Sequence, residues 1–341
     1  MKRLVLFLVV FWNVENFFDW RDGGYSASDA EFSSAGARHW TRRRFDKKCS
    51  DIARTVFCVA DIEGSLPDVV ALAEVENDFV LRRLVEQTGL WKYGYRPLHF
   101  ESRDHRGIDV GLLYREEVLE LVSARPQGVD SLPTRDILVA CFRRRTAAVA
   151  ACSSGGLPLG YSYLSDNVVP ADRTPDSLAV LVCHHPSKYG GSASDGPRAR
   201  AVAATLAAAD SLDRVGWHKR LIIGDFNDTP DSPSYDGMRR SYRCLVDSLA
   251  ARGRGTIRFE GAWELIDQAW VPLVEKRDTS GFVEASGREG TSGVTRVWIA
   301  DFPHLTQRDP SHPGRKPLRT YSGPRYLGGV SDHYPIVVQI R

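Results

Sequence analysis

The chain has 341 residues, long enough for one large α/β domain or two small ones. With 43% hydrophobic and 26% charged residues it has the make-up of a soluble globular enzyme. A formal net charge of +2 excludes bulk steering onto nucleic acid, so any basic recognition surface must be local.

The N-terminus, Met1-Lys2-Arg3 followed by Leu4 to Val10, starts like a signal peptide. The apolar run then continues into Phe11-Trp12-Asn13-Val14-Glu15 with no small-residue cleavage site, so Leu4–Val14 is expected as a buried first strand. Asn13 and Glu15 alternate at its end. Arg42-Arg43-Arg44 with Lys47-Lys48 forms a basic run that reads as solvated surface. Cys49, Ile52, Val56 and Val59 fall at helical spacing and predict a helix over Asp46–Asp61. Val69–Val75 is a short strand ending in Glu74, a carboxylate that is costly to bury unless paired or metal-bound. Glu76 is its rival for that role.

Gly107–Tyr114 and Arg135–Phe142 are further strands, the second running into the basic Arg143-Arg144-Arg145. Residues 153–176, rich in Gly, Ser, Pro and Asp, read as an inserted loop. Ser177–Cys183 ends in His184-His185-Pro186-Ser187, and two histidines at a strand end seldom serve packing alone. Gly196-Pro197 opens an alanine-rich helix over Arg198–Leu212. The strand Arg220–Phe226 stops at Gly224-Asp225-Phe226-Asn227-Asp228. On an extended backbone Asp225 and Asn227 share one face, although the same residues also suit a turn. Leu265–Val271 carries Asp267, a lone acid that needs a partner such as histidine. Asp301–Leu327 reads as a long irregular loop, and Ser331-Asp332-His333 precedes the last strand, Tyr334–Ile340. The six cysteines include no CxxC pair and read as reduced core residues.

Strands and helices interleave over the whole length with no linker, which predicts a single α/β domain over 1–341 with the insertion near 153–176. The candidate residues share one feature: each is polar and stands at the end of a separate apolar strand. In layered α/β proteins, sites gather where strand ends open into loops.

The segments WNVENFFD, ALAEVEN, RGIDVGLLYR, TRDIL, HHPSKYGG, GDFNDTPDSPS, ELIDQAW and SDHYPI resemble, in order, the endonuclease/exonuclease/phosphatase superfamily. The resemblance implies a four-layer α/β sandwich, deoxyribonuclease I-like, with two packed sheets of mainly antiparallel or mixed strands flanked by helices. It implies a phosphoric ester hydrolase dependent on Mg2+, with Mn2+ or Ca2+ as alternatives. Glu74, Asp332 and Glu15 would hold the metal. Asp225, Asn227, His333, His184 and Asp267 would be catalytic, with Asp267 fixing the His333 tautomer. Asn13, Ser187 and His185 would contact the substrate. That substrate is a phosphate ester, read as a phosphodiester with nucleic acid among the candidates. Trp40, the run Arg42–Lys48 and Arg103–Arg106 offer the basic and aromatic surface a nuclease needs. The alternatives are a phosphomonoesterase acting on an inositol-phosphate-like compound, and a binding module that has kept the fold without catalysis. No stretch is apolar and long enough to span a membrane, and no obligatory protein partner is evident. A cytoplasmic location is expected for the chain as read, with export the alternative.

Overall fold

The apolar N-terminal run forms β1, Phe7–Phe17, buried along almost its whole length as a strand covered on both faces must be. The computed structural model describes residues 7–145, 176–187, 195–273 and 294–340. After β1 come α1 (Ala27–Glu31), α2 (Arg42–Glu63), β2 (Val69–Val75), α3 (Asp78–Gln87), β3 (Tyr95–His99), β4 (Asp109–Arg115), β5 (Leu119–Gln127) and β6 (Ile137–Arg144). Then follow β7 (Ser177–His184), α4 (Asp195–Arg214), β8 (Arg220–Asp225), α5 (Asp236–Arg239), β9 (Tyr242–Cys244) and α6 (Asp247–Ala250). A hairpin of β10 (Ile257–Phe259) and β11 (Ala262–Glu264) leads to β12 (Asp267–Pro272) and β13 (Val294–Ile299). Two small hairpins come next, β14 (Thr306–Arg308) with β15 (Arg315–Pro317) and β16 (Tyr321–Ser322) with β17 (Arg325–Tyr326), before β18 (Ile336–Ile340).

The longer strands build two six-stranded sheets, in the orders β13-β18-β1-β2-β4-β3 and β5-β6-β7-β8-β12-β9. Each sheet is antiparallel except for one parallel pair, β1–β2 in the first and β7–β8 in the second. Parallel neighbours require a long crossover, supplied by α1 and α2 in one case and α4 in the other. The sheets face one another: β1 lies on β8 and β12, β2 on β7 and β8, and β4 on β6 and β7. Outside them, α3 packs on α2, β3 and β4, and α4 on β5 and β7. Phe45 of α2 stacks on Phe17 at the end of β1, ring centroids 5.4 Å apart. The result is the expected helix–sheet–sheet–helix sandwich.

Where the sequence was misread, packing explains the difference. The helix expected over 46–61 begins four residues earlier, so Arg42–Arg44 lie in its first turn. Lys48 is not solvated surface. It is buried and donates to the Glu15 carbonyl and, at 3.0 Å, to Thr320 Oγ1. The segment 301–327 is not irregular throughout, since it holds the two small hairpins. The insertion expected over 153–176 lies outside the described residues except for Asp176, as do Leu4–Leu6 of the expected first strand. Among the described residues no helix is long and apolar enough to cross a membrane.

One glycine ties this architecture to the site. Gly224 stands opposite Cys183 in the parallel β7–β8 pair, and a Cβ there would come within 2.1 Å of the Cys183 carbonyl oxygen. Gly224→Ala must therefore spread the two strands whose next residues are His184 and Asp225. Overpacking of this kind typically costs about 1–3 kcal/mol. The expected result is a lower urea midpoint together with reduced turnover. An unchanged midpoint would show that the strands part freely.

Candidate active site

The parallel strands β1, β2, β7 and β8 all deliver polar residues to one edge of the sandwich, where the two sheets meet. There a cleft of about 540 Å3 is lined by Asn13, Glu15, Glu74, His184, Ser187, Asp225, Asn227, Asp332 and His333, together with basic residues from loops. Nine of the eleven residues singled out from the sequence therefore share one cavity.

Simple strand alternation does not place them. The register of β1 against β2 shifts between Asn13 and Phe17, and that of β2 against β4 between Ala73 and Val75. Within these irregularities Glu15, Asn16 and Glu74 have φ of 50°, 51° and 63°, and Asn227 beyond β8 has 53°. Left-handed backbone at non-glycine residues costs about 1–3 kcal/mol each and persists where surrounding contacts over-determine it. Here the bulges re-aim carboxylates and amides out of the pleat into the cleft.

The centre of the site is Asp225 Oδ2. It accepts a 3.0 Å hydrogen bond from Asn13 Nδ2 and lies 3.6 Å from His184 Nε2 and 3.9 Å from His333 Nε2. Its other oxygen accepts the Asn227 backbone N–H at 2.8 Å. Burial pushes the Asp225 carboxyl up to about 7, against the pull of His333, while Asp267 reinforces the rise. Asp267 stays out of the cleft, almost wholly buried behind His333, with Oδ2 2.8 Å from His333 Nδ1. Burial disfavours charge on His333, but the carboxylates of Asp267, Asp225 and Asp332 outweigh it and hold the imidazole well above its ordinary range. His184, 3.6 Å from Asp225 Oδ2, is shifted the other way. Burial, with Arg135 and Arg106 nearby, keeps it neutral.

Two loop arginines, neither of them among the predicted site residues, complete the charge pattern. Arg319 donates to Glu15 Oε1 from Nε at 3.0 Å and Nη2 at 2.8 Å, and its Nη2 lies 3.1 Å from Asp332 Oδ2. The second oxygen of Glu15 accepts the Thr320 N–H at 2.9 Å. Burial and Asp332 push Glu15 up to about 7, against Arg319 and Lys48. Arg106 lies 3.7 Å from Glu74 Oε2 and donates to Asn16 Oδ1 at 2.8 Å. Arg319 sits in the segment read as loop and has no periodic signal. Arg106 carried only the hint of a basic run.

His185 corrects an expectation. It does not line the cleft: Nε2 faces Thr205 Oγ1 of α4 at 3.3 Å, and the ring packs edge-on to Phe226. Adjacent strand residues point to opposite faces, so only one histidine of the pair can reach the site. Its carbonyl still contributes, accepting Asn227 Nδ2 at 2.9 Å. Glu76 also points elsewhere, its carboxylate accepting the Asp19 N–H at 2.6 Å.

A hard divalent cation prefers oxygen ligands, and Glu74 and Asp332 supply them at the cleft. Glu74 suits the task because Oε2 is engaged by the Asn16 N–H at 2.7 Å, whereas Oε1 has only a 3.5 Å contact with Asn13 Nδ2. Asp225, Asp267 and His333 also bring ligand atoms within 4.8 Å of one another. There the short Asp267–His333 hydrogen bond already accounts for the approach.

A profile of the endonuclease/exonuclease/phosphatase family matches residues 8–143 and 167–341. No curated protein matches the sequence. Among solved structures, an endonuclease/exonuclease/phosphatase family protein from Bacteroides thetaiotaomicron superposes with a TM-score of 0.55 at 14% identity, covering 98% of each chain. A mannosyl-6-phosphatase from the same bacterium gives 0.52 at 14% identity over 98% of this chain and 100% of its own. The human Nocturnin catalytic domain with bound sulfate gives 0.52 at 13%, over 98% and 94%. At these identities the likeness is one of fold.

Proposed function

Because the chain belongs to the endonuclease/exonuclease/phosphatase family, whose members hydrolyse phosphoesters, we propose that it is a divalent-metal-dependent phosphodiesterase using 1–341 as one catalytic domain. The observation that supports this most is the convergence on Asp225 Oδ2 of Asn13, His184 and His333, three side chains from distant parts of the sequence. A phosphodiester is an anion that repels nucleophiles, so its hydrolysis requires an aligned water, charge neutralisation and little else.

Asp225, lifted to about 7, is suited to take the proton from the attacking water. The Asp267 carboxylate fixes Nδ1–H of His333, so Nε2–H faces the cleft as a cationic donor to a phosphate oxygen. His184 and Ser187 also line the cleft, and Arg106 and Arg319 add positive charge to it. Both carboxylate oxygens of Glu15 are occupied, Oε1 by Arg319 and Oε2 by the Thr320 N–H, while its backbone carbonyl accepts from Lys48. Glu74 and Asp332 would hold the metal, which when bound supplies Lewis-acid neutralisation of the phosphate.

Two arms test this reading. Bis-p-nitrophenyl phosphate and single-stranded DNA are to be assayed beside mannose 6-phosphate and an inositol phosphate, with Mg2+ and after EDTA. Turnover of a diester that EDTA removes is expected. Turnover of monoesters alone would replace the diester reading by a phosphatase, and no metal-dependent turnover would leave a binding module. In the active enzyme kcat/KM should rise with pH through about 7, as Asp225 ionises, and fall again only well above the ordinary histidine range. A rate that declines through 7 would assign Asp225 an acid role instead.

A further inference from the structure

At the loop end of the β3–β4 hairpin, outside the cleft, three ligating side chains converge that the proposed chemistry does not use. His99 is the last residue of β3 and Asp109 the first of β4. His99 pairs with Gly111 at the end of the ladder, and Glu101 and Asp109 lie just beyond that pair on the loop side. The three side chains offer ligand atoms that all lie within 4.8 Å of one another. His99 Nε2 is 3.4 Å from Asp109 Oδ2, and His99 Nδ1 is 3.7 Å from Glu101 Oε1.

The contacts are wrong for a satisfied ion pair. The side chains of His99 and Asp109 are only 2% and 4% exposed. Even so, among the described residues His99 Nε2 and Asp109 Oδ1 have no hydrogen-bond partner. Buried polar atoms left so cost about 1–3 kcal/mol each. A hydrogen bond would draw nitrogen and oxygen to about 2.9 Å. A tetrahedral cation with bonds of about 2.0–2.2 Å holds its ligand atoms roughly 3.4 Å apart, which matches the His99–Asp109 spacing.

We infer that His99, Glu101 and Asp109 form a second metal site, selective for a divalent transition ion of the zinc class. His99 Nε2 and Asp109 are the direct ligands, Glu101 on Nδ1 orients the ring, water fills the remaining positions, and the nitrogen ligand disfavours Mg2+. Glu101 also lines a pocket of about 760 Å3 with Asp22, Asp29, Asp78 and the Arg21–Asp19 pair, which opens the site to solvent. The bound ion clamps both ends of segment 100–108, whose Arg106 reaches the cleft. This inference does not depend on the phosphodiesterase reading.

The test is metal content. The protein is stripped with EDTA, dialysed against excess Mg2+ with one equivalent of Zn2+ per chain, and its zinc is counted. One zinc per chain is expected in the wild type and in Glu74→Gln, and none in His99→Ala or Asp109→Asn. Zinc that follows Glu74, or equal zinc in wild type and His99→Ala, overturns the inference, as does an absence of zinc from the wild type. Should the buried variants not fold, the outward Glu101→Gln keeps the test open: its zinc affinity should fall about 10- to 100-fold, and an unchanged affinity counts against the site. Co2+ in place of zinc should give a tetrahedral visible spectrum that His99→Ala lacks.

Discussion

Asp225→Asn is expected to lower kcat/KM by about 10²–10⁴-fold while leaving a folded protein. The substitution keeps the shape and one acceptor, so the Asn227 N–H retains its partner. It removes the only carboxylate among the described residues that lies beside both His184 Nε2 and His333 Nε2 and is fixed by Asn13. Losing the Asn13 bond weakens local order, yet the variant also relieves an expensive burial of charge. The sign follows from the shift: Asp225 rises from 3.8 to about 7 on folding, so the wild type loses stability as pH climbs through that window. His333, raised as well, adds a loss of the same sign at higher pH. The variant should therefore show a flatter stability–pH curve between about 4 and 7, measured by thermal unfolding. Retention of more than a tenth of wild-type turnover, with that flattening present, would remove Asp225 from the reaction.

Most of the site was legible because its residues interrupt strong patterns. Asp225, Glu74, Asp267 and His184 each end or break an apolar run, and Asp332-His333 stands directly before the last one. The partition of roles within that set was less visible. His184 and His185 are adjacent on a strand, so alternation alone required one to face α4, and it is His185 that does. Lys48 looked like part of a basic surface run, but it lies four residues before Ile52 on the edge of the buried face of α2. Its ammonium fills a polar gap under Glu15 that only the tertiary structure creates. Glu74 was found for the wrong local reason. It reaches the cleft through a left-handed residue in a bulge, and β-bulges leave no reliable trace in a single sequence. Arg319 and the two hairpins around it escaped because short strands rich in Pro, Gly and charge carry no period to read.

His333→Ala should reduce turnover by a similar factor, about 10²–10⁴-fold, but it also isolates Asp267. That carboxylate is 1% exposed, and its one described hydrogen bond is to His333. Breaking a buried pair from one side costs about 3–5 kcal/mol, so the single variant should be markedly less stable at neutral pH. The double variant His333→Ala/Asp267→Asn should regain much of that stability, because no orphan charge remains, and regain no activity. Asp267→Asn alone dissects the pair further. Without the carboxylate His333 titrates nearer its ordinary range, and the high-pH limb of kcat/KM should move toward acid. A merely structural Asp267 would lower the whole profile and leave its limbs where they are. If the double variant recovers turnover along with stability, His333 serves packing and the charge on the phosphate must be met by Arg106 and Arg319 instead.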